Sequence, residues 1–408
     1  MARGDAHIGT RVRYWRGRRG LSQVALAGLA GMSQAYLSQI ETGARTVDSR
    51  ATLARLAEAL QVTTASLEGQ PADPRTPEHS SASAAIPAVR AALVAASLGD
   101  DVTTGRGIDE LAAEVDRAVR LRTEADYARL TPLLPDLISD LHAATCSADE
   151  QTARMALRLM VSALYCCTFT VKYLGYPDLA MAAADQAQRA AERLDDPMVR
   201  GIADFVRIQS LPPELGRLAH HLSADAVDRL AVLADDPTGG QVYGMLHLVS
   251  ARVSAVDRRT TDVATHLAEA RSVATRLGET TDGGPVALWF GPTNVSFWET
   301  AIAVELSEGA RVRELAAGVT PTAVRSATRQ ASWYADLGRG LAQTRRADQE
   351  AVAYLTRSER LAPQRIHLNP TVRDSVALLL RRARRKQQVG DLQRLADLVG
   401  LSTGTNRR

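Results

Sequence analysis

The sequence predicts an all-α protein: a five-helix N-terminal domain followed by a longer C-terminal α-solenoid of helical hairpins. Three observations predict it. Residues 21–43, LSQVALAGLAGMSQAYLSQIETG, read as two short helices joined by a tight turn. From Ile86 onward β-branched alternation is absent, apolar residues recur at helical spacing, and breakers return at intervals of roughly twenty residues. Similar segments repeat with a period near forty, as stacked helix pairs do.

The elements follow in order. Residues 7–19, HIGTRVRYWRGRR, form the first helix, with Ile8, Val12 and Trp15 inward. Ser22 caps a second helix running through Ala30, whose apolar residues are Val24, Leu26, Ala27 and Ala30. Gly31 allows the sharp turn because it takes φ > 0 without steric cost. Ser33 caps the third helix, and Leu37 and Ile40 form its buried stripe. That leaves Gln34, Ala35, Tyr36, Ser38 and Gln39 outside: a short, polar, amide-rich face suited to a DNA major groove. A hairpin that merely packs would leave Gln23, Gln34 and Gln39 unexplained. Asp48–Leu60 and Thr63–Leu67 supply two closing helices, with Leu53, Leu56, Ala57 and Leu60 inward, and the domain spans 1–68.

Residues from about 8 to 67, roughly the first sixth of the chain, resemble the Xre helix-turn-helix domain, the type also seen in phage Cro and repressor proteins. Arg16, the G-L-S-Q at Gly20–Gln23, Leu26, Ala27, Gly31, Ser33, Tyr36, Leu37, Ile40, Glu41 and Gly43 carry the resemblance. It implies a double-stranded DNA operator contacted by Gln23, Ser33, Gln34, Ala35, Tyr36, Ser38, Gln39 and Arg45. Within that set Gln34 stands where the family commonly reads a base, and Gln23 is expected to hold a phosphate. Arg16 and Glu41 match the family's structural ion pair. Arg11, Arg13, Arg18 and Arg19 are left to phosphate contact or plain solvation.

Charge agrees with this division. The chain carries a formal +3, yet residues 1–70 hold nine Arg and five acids, about +4, leaving the remainder near −1. Local positive charge is what phosphate contact needs. Every base except Lys172 and Lys386 is Arg, which with abundant Ala suggests a GC-rich genome. The three cysteines, 146, 166 and 167, lack metal-ligand spacing and suit a reducing cytoplasm. No N-terminal apolar segment and no run of 18 apolar residues occurs, so neither export nor a membrane span is expected.

Residues 69–84, GQPADPRTPEHSSASA, read as a linker, and 85–408 as the second domain. There R-L-D-D-P ends at Pro197 and L-A-D-D-P at Pro237; Ala187, Ala191 and Leu194 recur as Val227, Ala231 and Ala234, then as Ala270, Ala274 and Leu277. The spacing of Ala351, Leu355, Ser358, Leu361 and Pro363 resembles the second helix of a tetratricopeptide repeat. The first helices lack that family's aromatic and Gly landmarks, so the resemblance is to long, degenerate tetratricopeptide-like repeats. About five hairpins are expected between 150 and 365, preceded by irregular helices over 86–145 and capped by Thr371–Leu398. An Xre-type domain followed by such repeats resembles peptide-responsive regulators of Gram-positive bacteria and many actinobacterial regulators. The arrangement implies an effector on the concave face and a homodimer joined largely through the repeats, on a two-fold symmetric operator.

Aromatic residues are scarce and clustered: Tyr165, Phe169, Tyr173 and Tyr176; Trp289, Phe290, Phe297 and Trp298; Trp333 and Tyr334. The first group steps by four and reads as packing. The second flanks a break in the repeat at Gly283-Gly284-Pro285, so Asn294, Trp298 and Trp333 are candidates for binding a small-molecule or peptide effector, the alternative being core between hairpins. His220 and His221 lack supporting ligands, so no metal is expected. Arg381, Arg382, Arg384, Arg385 and Lys386 are a basic run at a helix end, complementing the helix dipole or solvated, with auxiliary phosphate contact the other reading. No P-loop, H-E-x-x-H or G-x-S-x-G occurs, so neither a catalytic residue nor a cofactor is assigned. The leading reading is a ligand-controlled transcriptional regulator; the alternative is a protein-interaction scaffold tethered to DNA.

Overall fold

The computed structural model describes residues 7–47, 49–99, 104–344, 346–383 and 390–401, and among them the regular structure is entirely helical. The N-terminal head contains α1 (Ile8–Arg18), α2 (Gln23–Leu29), α3 (Gln34–Glu41), α4 (Arg50–Leu60) and α5 (Thr64–Glu68). Its core is separate from that of the rest of the chain, built on Ile8, Val12, Leu26, Leu37, Ile40, Leu56, Leu60 and Leu67. Gly9 lets α1 cross the end of α3: a Cβ there would stand 1.8 Å from the Ile40 carbonyl oxygen. Val24, one of the apolar residues of α2, is 69 % exposed. At 3.6 residues per turn it lies about 100° away from the stripe made by Leu26, Ala27 and Ala30.

The expected linker is only half a linker. The chain turns helical at α6 (Pro77–Ala84), where Thr76 Oγ1 accepts from the His79 amide at 3.3 Å and Pro77 occupies the first turn. His79 and Ala82 are buried, and His79 Nε2 lies 2.9 Å from the Gln364 carbonyl oxygen. Such a short, weakly apolar helix gains its stability from tertiary contact, which composition does not display.

Then come α7 (Ile86–Leu98), α8 (Ile108–Glu124) and α9 (Tyr127–Ala144), followed by five antiparallel pairs. These are α10 (Glu150–Tyr173) with α11 (Pro177–Glu192), α12 (Pro197–Ser210) with α13 (Gly216–Leu230), and α14 (Gly239–Val256) with α15 (Thr260–Leu277). The last two are α16 (Pro292–Glu305) with the short α17 (Val312–Ala316), and α18 (Ala327–Ala342) with α19 (Asp348–Leu361). The chain ends with α20 (Pro363–Ile366), α21 (Pro370–Ala383) and α22 (Gly390–Leu398). The repeated Asp-Asp-Pro proves to be a helix start: Asp196 Oδ1 accepts from the Met198 and Val199 amides, both at 3.1 Å, and Asp236 Oδ2 from those of Thr238 and Gly239.

The first helix of each pair packs on the first helix of the next, so α10, α12, α14, α16 and α18 form an inner row and their partners an outer one. α8 lies inside the curve, touching both α10 and α18. Two stretches, Pro77–Leu98 and Glu150–Tyr173, have the length and apolarity of membrane-crossing helices, which the sequence reading did not anticipate. Here α10 buries Met160, Val161, Leu164 and Cys167 in the core, and α7 packs Val89, Ala92 and Leu93 against neighbouring helices.

Candidate functional site

The outer face of α3 is open to solvent at Gln34, Ala35 and Gln39, with Tyr36 and Ser38 half-buried beside them. Both helices of the hairpin cap themselves: Ser22 Oγ accepts from the Ala25 amide at 3.1 Å and Ser33 Oγ from the Tyr36 amide at 3.2 Å. Gln34 Nε2 donates to Gln23 Oε1 at 2.9 Å, and Gln23 Nε2 donates to Glu41 Oε2 at 2.8 Å. Glu41 in turn receives Arg16 through Nε at 2.5 Å and Nη2 at 2.9 Å, while Arg16 Nη1 donates to the Leu21 carbonyl at 2.9 Å. Burial alone would raise the Glu41 carboxyl; the hydrogen bonds from Arg16 and Gln23, with Arg16's charge, hold it below its ordinary value. Gln23 therefore braces Gln34 in this structure, a role its expected phosphate contact did not include. Arg45 lies over the Tyr36 ring at 4.8 Å. Arg13 and Arg18 are exposed, whereas Arg19 donates to the Leu60 and Gln61 carbonyls at 2.9 and 3.0 Å, closing the end of α4.

This hairpin, with its internally capped helices and outward amide face, lies within residues 7–68, which match the family profile described as a helix-turn-helix domain. Residues 7–68 are a helix-turn-helix domain. Such a domain suggests a DNA-binding regulator. No curated protein and no solved structure matches the chain.

The helix-turn-helix domain sits on the repeat domain through the N-termini of α1, α4 and α5. The Ile8 amide, at the start of α1, donates to Asp374 Oδ1 at 3.0 Å, and the Val47 amide to Oδ2 at 3.3 Å. The Arg50 amide, at the start of α4, donates to Glu305 Oε1 at 2.6 Å, joined by Ser49 Oγ at 3.2 Å. The Thr64 amide, at the start of α5, donates to Glu214 Oε1 at 2.7 Å. Neither α1 nor α4 is capped by the side chain that precedes it. Carboxylates at these ends satisfy orphan amides and meet the positive end of each helix dipole. α2 and α3 rely on their own serine caps, and α5, capped by its own Thr63, receives Glu214 in addition.

Between the helix-turn-helix domain and the inner row lies a cavity of about 360 Å³. Arg50 and Leu53 of α4 and Ala65 and Glu68 of α5 line its upper side. Of the residues singled out for an effector, Trp298 and Trp333 line the cavity. Asn294 is fully buried behind it: its Oδ1 accepts from Arg329 Nη2 at 2.6 Å and its Nδ2 donates to the Leu288 carbonyl at 3.1 Å. Arg122 Nη2 donates to the Val286 and Ala287 carbonyls at 3.1 and 3.2 Å, helping to hold a turn in which those residues take φ of 46° and 53°. Trp333 stacks on Phe297 at 4.9 Å and its Nε1 donates to Thr300 Oγ1 at 3.1 Å. Tyr165, Phe169 and Tyr173, read from sequence as packing, also face the cavity.

The sequence reading missed the cavity's cations. Arg252 and Arg329 lie over the Trp298 ring at 5.4 and 5.3 Å, and Arg365 over Tyr173 at 3.6 Å. Burial, reinforced by Arg50, Arg252 and Arg365, pushes the Lys172 ammonium well below the usual lysine range. Burial and Arg50 bring Arg252 down to about 9, and burial is the main cause that takes Arg329 to about 10. One signal was available: Lys172 is one of two lysines in the chain and stands in an apolar helix.

The remaining sequence candidates have local explanations. His220 Nε2 lies 3.2 Å from Arg259 Nη1. Arg382 Nη1 donates to the Ala342 carbonyl at 2.9 Å and to Asp348 at 2.8 Å; Arg384, Arg385 and Lys386 lie outside the described residues. Burial pushes the Cys166 thiol up to about 11 and Cys167 higher still, which suppresses the reactive thiolate in both.

Proposed function

We propose that this chain is a sequence-specific transcriptional regulator that binds a two-fold symmetric operator as a homodimer and senses an effector in the cavity under its helix-turn-helix domain. One observation carries the reading. The seating that turns α3 outward also lays α4 and α5 over the cavity, so a molecule held there touches the DNA-binding domain and the repeats together. A ligand that fits one seating better than another shifts the protein toward it, and about 1–3 kcal/mol of such coupling is enough for regulation. Dimerisation follows from the short reach of one recognition helix; two-fold pairing sets two of them about one turn of DNA apart.

The reading face is tested with Gln34→Ala. An operator is first selected from random DNA by the full chain and footprinted. An amide pairing bidentately with adenine is worth about 1–3 kcal/mol at one base pair, so the variant loses that much and relaxes specificity there. Unchanged affinity and footprint at fixed salt refute this assignment. Effector sensing is tested separately, by adding the small-molecule fraction of native extract to the protein–operator complex. A scaffold that binds only protein partners leaves operator affinity constant throughout that screen.

A further inference from the structure

We propose that the cavity is a receptor for a small organic anion with a flat apolar body, its charge held by Lys172, Arg252 and Arg329 and its body by the aromatic wall around Trp298. The proposal rests on the reading of this cavity as an effector site and names the ligand's chemical class.

Charge is the first argument. Among the described residues the cavity lining holds seven cationic side chains against three carboxylates. At most three negative charges against seven, the carboxylates offset them only in part. Asp336 is paired with Arg339 at 2.7 Å, and Glu305 is engaged by the amide of Arg50 and the hydroxyl of Ser49. Glu68 is pushed by burial up to about 7 and is only partly ionised at neutral pH. The cations meanwhile rest on neutral oxygens. Lys172 Nζ donates to the Gln209 carbonyl, Arg252 Nη2 to Gln209 Oε1, and Arg329 Nη2 to Asn294 Oδ1. Neutral acceptors orient a charged donor without neutralising it, and enclosed charge without a counter-charge costs several kcal/mol. A guanidinium cannot escape that cost by losing its proton near neutral pH. The Nε atoms of Arg122 and Arg365 are buried without an acceptor. An anion is what this lining lacks.

Shape is the second. Trp298 carries Arg252 and Arg329 against its ring, and Phe297 and Trp333 stack next to it. Flat aromatic walls take a flat apolar body through offset or edge contacts. The indole Nε1 of Trp298 is buried without an acceptor, one more donor available to an anionic group. At about 360 Å³ the cavity falls in the usual range for organic ligands, about 300–1,000 Å³. A bare inorganic ion would leave the aromatic wall unused, and a nucleic-acid strand exceeds the volume.

The test uses the full-length chain and two fluorescent probes with the same rings, anilinonaphthalene sulfonate and the uncharged phenylnaphthylamine. The sulfonate is expected to bind one per chain and to quench tryptophan emission. It should bind at least about tenfold tighter than the neutral probe, the worth of one charge-assisted contact. Arg252→Met and Arg329→Met should each weaken the sulfonate about tenfold and leave the neutral probe within about threefold. Because Arg329 also anchors Asn294, Lys172→Met provides a third charge-removing variant, checked for its fold by circular dichroism. Equal affinity for the two probes overturns the proposal. So does sulfonate binding that exceeds one per chain or is indifferent to these substitutions in folded protein. Charge-dependent binding that leaves operator affinity unchanged upholds the anion site and refutes the effector reading instead.

Discussion

Glu68 shows how a single residue feels the seating of the DNA-binding domain. Its carboxyl faces Arg50, Glu214, Lys172 and Arg11, and burial drives it up to about 7 against the pull of Arg50. The ordinary value is 4.5, so between 4.5 and about 7 the folded chain binds a proton that the unfolded chain has released. Stability therefore falls as pH rises through that window, and the penalty is complete above it. Glu68→Gln removes the penalty. It is expected to stabilise the protein by about 1–3 kcal/mol near pH 8 and by almost nothing near pH 4, read from urea unfolding. A gain independent of pH would place the effect elsewhere than in the carboxyl's charge. The sequence offered a residue of ordinary appearance here, because nothing in a local pattern marks which face of α5 another domain will cover.

At the scale of elements, the division between self-capped and borrowed caps decides how the head is held. α2, α3 and α5 carry their own caps, Ser22, Ser33 and Thr63; α1 and α4 receive Asp374 and Glu305 from the repeats, and Glu214 adds a carboxylate to the start of α5. Glu214→Ala, Glu305→Ala and Asp374→Ala should each cost about 0.5–2 kcal/mol of docking, the usual worth of a cap. The triple variant should expose residues 69–76 to proteolysis and speed amide exchange in α4 and α5, while exchange in α2 and α3 keeps the protection their own caps provide. Uniformly faster exchange in all five helices would mean that the carboxylates hold up the head's own fold rather than its seating. The serine caps were legible because a cap and its helix are adjacent in sequence. The carboxylates lie 150 to 366 residues away from the amides they meet, so no window could pair them.

For the whole molecule, the inner row of helices, α8 within its curve and the head above it form one arrangement in which α4 and α5 of the head line the cavity while α3 faces outward. Expected as a slack tether, residues 69–84 instead dock a helix at their second half, which shortens the free chain between the two parts. We predict two chains per operator, with the repeats or the 86–145 helices supplying the contact. Val94 and Leu98, 51 % and 79 % exposed on α7, lie in that region. Light scattering is expected to give twice the chain mass both free and on DNA; a monomer in both states would refute the dimer.

The sequence alone determined the helical class, the helix-turn-helix hairpin and the succession of helix pairs. Each rests on neighbours: capping residues beside their helices, a glycine at its turn, apolar residues three and four apart. Five pairs lie between 150 and 361, but their first helices start 47, 42, 53 and 35 residues apart, so the period near forty holds only on average. Tertiary structure alone decided where the head sits, which carboxylates hold it, and what faces the cavity. Asn294, chosen for its place at a break in the repeat, ends behind the wall holding Arg329, while Tyr173 and Lys172 face inward. A helix presents the same periodicity whether its stripe meets a solid core or a cavity. Only the curvature accumulated over successive helix pairs, and the domain set across it, distinguish the two.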